Sequence, residues 1–264
     1  MSKERNVIVH YHLFKNAGTS IDRLLNKNFA EKWVSFDGNT AGNIISCKEL
    51  EKTISENTDA VAFSSHQIVP PLPEIAGSVF PVVFLRDPLD RVKSAYLFEW
   101  QKQLGLENPK GSLKEYVTEK FKNKRSSAVD DFQTMRLSNI QKNRFGSSQA
   151  SDETILEQAF EFISSLSFIG IVDRFDLSVE FLEDYLKPAF PQFKSSNIAA
   201  NTLQDITLSL EKKKADIHAE LGDELFEMIV SRNAMDEKLY QYGVKHFDAL
   251  YANQLQKNGQ VRAA

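Results

Sequence analysis

The stretch His12-Leu13-Phe14-Lys15-Asn16-Ala17-Gly18-Thr19-Ser20 gathers the residues best suited to hold an anion. The apolar run Val7-Ile8-Val9 precedes it as a buried strand, and Ile21, Leu24 and Leu25 follow with helical spacing. A strand that breaks at small residues and restarts as a helix aims several backbone N–H groups at one point, where the helix dipole also favours negative charge. Lys15 adds a point charge, and Thr19 and Ser20 add hydroxyl donors. This is chemistry for phosphate or sulfate oxygens. The nucleoside triphosphatase loop G-x-x-x-x-G-K-[ST] does not fit, because Lys15 comes three residues before Gly18 and no glycine precedes it.

A second anion motif lies at residues 82–96. Val82-Val83-Phe84-Leu85 reads as another buried strand; it ends in Arg86, turns at Asp87-Pro88 and continues as a helix. Asp87 suits an N-cap, and Pro88 the first helical position, where a missing N–H costs little. Arg86 at the strand end and Ser94 two turns into the helix are expected to converge on one phosphate, which the planar guanidinium pairs bidentately.

The order Lys15-Asn16-Ala17-Gly18-Thr19-Ser20 resembles the 5′-phosphosulfate loop of sulfotransferases, with Phe14 where that pattern has Pro and Asn16 where it has Thr. The string Arg86-Asp87-Pro88, Arg91, Ser94, Tyr96 is similar to the 3′-phosphate motif of the same family. Less specific matches at Gln133–Ser138, Gly170–Ser178 and Asn233–Tyr240 extend the resemblance over most of the chain. The resemblance implies sulfuryl transfer from 3′-phosphoadenosine 5′-phosphosulfate (PAPS) to a hydroxyl, most naturally on a carbohydrate, with no metal. Lys15 would neutralise the leaving oxygen, while the amides of Asn16, Ala17, Gly18, Thr19 and Ser20 and the two hydroxyls would hold the 5′-phosphate and sulfuryl oxygens. Arg86 and Ser94 would hold the 3′-phosphate. Alternatives of another class are a nucleotide-binding or regulatory protein without transfer activity and an ATP-dependent small-molecule kinase.

An alcohol acceptor calls for a base. His66 follows the strand-like Ala60–Ser65 and precedes the turn-rich Pro70-Pro71-Leu72-Pro73, so it shares a sheet edge with both motifs. Its place between them resembles that of the histidine base in uronyl 2-O-sulfotransferases. Asp22 is the rival base. His10 and His12 share a strand face, but no third ligand has metal spacing, so no metal site is expected. His218 and His246 fall in helical stretches and read as surface or packing residues. Arg136 could hold an acidic acceptor sugar or pair with a carboxylate; Arg174 could approach the nucleotide or brace the sheet.

These side chains need an α/β scaffold, and the chain alternates accordingly. Strands are predicted at 7–13, 33–36, 60–65, 80–85 and 168–172. Helices are predicted at 18–28, 47–56, 88–104, 112–123, 130–137, 151–165, 175–187, 206–220 and 222–247, with loops at 105–111 and 143–151. The pattern predicts a parallel sheet covered on both faces, with ligands at the strands' carboxyl ends. The 264 residues, 42% of them hydrophobic, suffice for one large domain over 1–252 with a polar, frayed tail at 253–264. The 19 phenylalanines belong to the core of such a fold. A net charge of −4 excludes a global field for nucleic acid, and the basic run Lys120–Arg125 reads as a solvated helix end. One cysteine, Cys47, and the lack of an apolar leader or a membrane-length run point to a reducing, cytoplasmic setting without integral membrane association.

Overall fold

The computed structural model describes residues 5–40, 42–122, 128–138, 150–197 and 208–262. Five strands, β1 (Arg5–Tyr11), β2 (Trp33–Ser35), β3 (Ala62–Ser65), β4 (Gly77–Leu85) and β5 (Gly170–Ile171), form one sheet in the order β2-β3-β1-β4-β5. Every pairing is parallel, with Val9 opposite both Phe63 and Pro81. A parallel sheet must be covered on both faces, and the fully buried run Val7-Ile8-Val9 meets that demand as a near-continuous apolar strand. β5 reaches only Phe84 and Leu85, so Pro81 sits on a stretch of β4 with one neighbour, where a missing donor is tolerated.

The chain leaves β1 towards β2 and later crosses to β4 on the other side of β1. That reversal opens a crevice at the carboxyl ends of β1 and β4. Helix α1 (Gly18–Phe29) packs Ile21, Leu24 and Leu25 into the main core, and α2 (Cys47–Glu56) adds Leu50 and Ile54. Helix α3 (Pro88–Leu97) continues as a π-helical turn over Phe98–Lys102. α4 (Leu113–Phe121), α5 (Phe132–Leu137), α6 (Asp152–Ser165) and α7 (Phe175–Leu186) follow, then α8 (Leu210–Leu221), α9 (Asp223–Ser231) and α10 (Ala234–Arg262). A second, smaller core joins Tyr96, Trp100 and Tyr116 to Ile217, Leu221 and Ile229.

Three expectations change. The predicted helix 222–247 is two helices, interrupted at Arg232-Asn233. Helix α10 runs on to Arg262 through the segment expected to fray after Ala252. The predicted helix 88–104 loses its α geometry at Phe98. Most of the expected loop 143–151, and Asn123 to Arg125 of the basic run, lie outside the described residues. Lys120 is no solvated charge but pairs with Glu99 at 2.5 Å. Among the described residues no helix is long and apolar enough to cross a membrane.

Candidate active site

Ser46, Asp87, Ser112, Ser151 and Ser209 cap the first turns of α2, α3, α4, α6 and α8 with their side chains. Helix α1 has no such cap. Its N-cap is Ala17, in the left-handed region at φ 62°, and Lys15 is left-handed too at φ 66°. Non-glycine residues held there cost on the order of 1 kcal/mol each and persist only where the surroundings impose them. Here the Arg86 guanidinium donates to Lys15 O at 3.0 Å. Asn16, fully buried between the two, donates from Nδ2 to Phe84 O at 2.8 Å and to Gln133 Oε1 at 2.6 Å.

This geometry redraws the expected anion set. The Asn16 side chain faces the sheet, and its N–H bonds Leu13 O, so Asn16 anchors the loop. The Ser20 amide bonds Ala17 O. The amides of Ala17, Gly18 and Thr19 have no acceptor among the described residues, and alternating left-handed residues tilt such groups into a concave nest. Gly18 is required by close approach: a Cβ there would stand 2.0 Å from the His12 ring. Lys15 Nζ lies 4.5 Å from the centre of the Phe98 ring, and Phe14 meets Phe98 edge-on at 5.5 Å. The departure from proline at position 14 thus supplies an aromatic wall beside the lysine.

The second motif divides. Asp87 Oδ1 accepts from the amides of Leu89 and Asp90, as the cap reading expected, and its other oxygen meets Lys214 Nζ at 2.6 Å. Arg86 is tied by Nε to Asp90 Oδ2 at 2.7 Å and faces a cleft of about 760 Å³ that Ala17 and Ser20 also line. Arg91 is fully buried, donates to Ala128 O and stacks 4.9 Å from the Phe132 ring centre, so it fastens α3 to α5 instead of meeting a ligand. Ser94 is half-buried one turn beyond Asp90 and is not among the residues lining the cleft. Arg174 lines the cleft while pairing with Asp248 of α10 at 2.5 Å, and Tyr240 closes the same wall through Asp173 at 2.6 Å.

Three of the five histidines, His10, His12 and His66, form one cluster, while His218 meets Asp223 and His246 meets Leu166 O. His10 Nδ1 and His12 Nδ1 meet the two oxygens of Asp22 at 2.8 and 2.7 Å. The fold thus supplies the third group that spacing in the sequence did not offer. Both ring nitrogens face an ionised carboxylate and therefore donate to it. Burial works to raise the Asp22 carboxyl, but the two histidine hydrogen bonds prevail and hold it far below the usual carboxylate range. Both oxygens of Asp22 are thus taken by histidine ring nitrogens.

The His12 ring lies against His66, tilted by 31° with centres 3.7 Å apart. Half-exposed His66 sets its Nδ1 3.0 Å from Asp37 Oδ2, while Arg136 donates to the His66 carbonyl at 2.7 Å. Burial and the neighbouring His12 lower the His66 imidazole below its ordinary value, against the opposing pull of Asp37. The ring is therefore neutral near pH 7. Asp37 was missed in the sequence. Its signal was its place two residues after β2, whose carboxyl end lies beside that of β3.

A family model described as the sulfotransferase family matches residues 1–243. An uncharacterized protein of Archaeoglobus fulgidus is 31% identical over 248 residues, which are 90% of this chain and 95% of that relative. A parallel sheet with an uncapped helix and an arginine meeting at its carboxyl edge, together with these matches, places the chain in the sulfotransferase family.

Proposed function

We propose that the protein transfers the sulfuryl group of PAPS to a carbohydrate hydroxyl. The observation that carries this reading is the juxtaposition of His66 and Gly18: the His12 ring touches His66 on one side and blocks a Cβ at Gly18 on the other. The neutral imidazole is thereby one ring away from the open amides of α1. The residues suit such a donor. Ala17, Ser20 and Arg86 line a cleft within the size range of ligand pockets, and the amides of Gly18 and Thr19, next to Ala17 in the chain, have no acceptor among the described residues.

When bound, the donor supplies a sulfuryl group whose bond to the 5′-phosphate oxygen breaks as the bond to the acceptor oxygen forms. The amides of Ala17, Gly18 and Thr19 and the hydroxyls of Thr19 and Ser20 hold the oxyanions. Lys15 neutralises the oxygen that leaves with the nucleotide. Arg86 marks the 3′-phosphate, with Ser94 one turn beyond Asp90 on the same helix as its partner. His66 Nε2 takes the acceptor's proton. Arg136, held against the His66 carbonyl, lies where an acidic acceptor would meet it.

Labelled donor offered with uronic-acid polysaccharides, phenols, lipids and simple alcohols tests the reading. Label should pass to a polysaccharide, and His66→Ala should cut turnover at least about 100-fold with donor affinity nearly unchanged. Transfer to none of these acceptors, in single turnover, would leave a binding protein.

A further inference from the structure

We infer that Asp37 is the positioning residue of His66, fixing the ring so that Nε2 and not Nδ1 receives the proton. The inference rests on the reading of His66 as the base. Asp37 has a complete set of partners in this role. Its Oδ1 accepts from the Ser65 hydroxyl at 2.6 Å and from the His66 amide at 3.0 Å, while Oδ2 faces His66 Nδ1 at 3.0 Å. An ionised carboxylate can only accept, so Nδ1 carries the hydrogen and the Nε2 lone pair is free. The Ser65 and His66 bonds also hold the Asp37 carboxyl low although burial opposes them, which keeps it ionised wherever the imidazole is neutral.

The ring has little freedom left. His12 covers one face, and Arg136 fixes the backbone at the His66 carbonyl. The charges around His66 come from four elements: Asp37 after β2, His12 after β1, Asp22 on α1 and Arg136 on α5. His12 disfavours a second positive charge beside it, and Asp37 and Asp22 favour one. Asp37 therefore does two things: it selects the tautomer, and it stabilises the imidazolium that forms as the acceptor loses its proton.

Asp37→Asn in the full chain separates these effects from simple packing. Nitrogen NMR of the protein without ligands should show His66 protonated at Nδ1 in the wild type and a rise of the Nε2–H tautomer in the variant. The plateau of kcat/KM should fall about 100-fold or more. Its acidic limb should move to lower pH, since losing the carboxylate makes the imidazole easier to deprotonate. Asp37→Glu should restore part of the rate. An unchanged tautomer with an unmoved acidic limb would overturn the inference. Retention of full turnover by His66→Ala would instead remove the base reading, and the NMR result would still decide whether Asp37 sets the ring.

Discussion

At the scale of single residues, the two cations of the site are already restrained. Lys15 lies against Phe98 in a cation–π contact worth about 0.5–2 kcal/mol, on a backbone that Arg86 holds at its carbonyl. Its ammonium therefore spends little entropy on reaching the leaving oxygen. Lys15→Ala should reduce turnover by a factor of at least about 1,000 while nucleotide binding, carried mainly by amides, weakens far less; single-turnover kinetics beside calorimetry would separate the two. Unaltered chemistry with lost binding would give the lysine only a binding role. Arg86 has a different signature. Arg86→Ala should weaken adenosine 3′,5′-bisphosphate about 10- to 100-fold more than adenosine 5′-phosphate, because only the former offers a phosphate to the guanidinium. Equal losses would mean that Arg86 acts through the Lys15 carbonyl alone.

At the scale of elements, what joins the loop at 12–20 to the turn at Arg86 is the short helix α5. Gln133, at the start of α5, bonds both the N–H and the C=O of Arg86, as a neighbouring strand would, and accepts from Asn16 as well. Helices α5 and α10 cap each other. Asp236 accepts from the amides of Gln133 and Thr134, and Asp131 accepts from those of Met235 and Asp236. Asp236→Ala leaves buried donors without partners, so a loss of about 3 kcal/mol in denaturant unfolding is expected. Nucleotide affinity should fall with it, although Asp236 does not line the cleft. A loss under about 1 kcal/mol would show that α5 holds its place by packing. The legibility of the site follows from the same distances. The loop at 12–20 and the Asp87-Pro88 cap were readable because their physics is local: apolar spacing, small residues and one capping side chain. Gln133 and Asp236 lie 103 residues apart and meet through the packing of α5 on α10, and Asp37 and His66 lie 29 apart and meet because β2 neighbours β3. The partners of Asn16, Phe84 and Gln133, escape a local reading for the same reason.

At the scale of the whole molecule, the carboxylate of Asp22 and the imidazoles of His12 and His66 tie stability to pH. The folded-state carboxyl of Asp22 lies far below the usual range, with burial opposing and the two histidine bonds prevailing. Between that value and about 4 the unfolded chain binds the extra proton, so stability present above about pH 4 is lost below it. His12 and His66 are also lowered, chiefly by burial. The unfolded chain then protonates them near pH 6.5 before the folded protein does, and stability again falls as pH drops. Both slopes have the same sign. The midpoint of urea unfolding should decline from pH 7.5 to 5 and decline further below 4. Asp22→Asn keeps one good acceptor but loses the charge, so it should lower the midpoint at neutral pH and flatten the limb below about pH 4. His12→Gln should flatten the slope between 5 and 7 instead. Wild-type and Asp22→Asn curves that stay parallel across the acid limb would show that other carboxylates, not this cluster, govern acid unfolding.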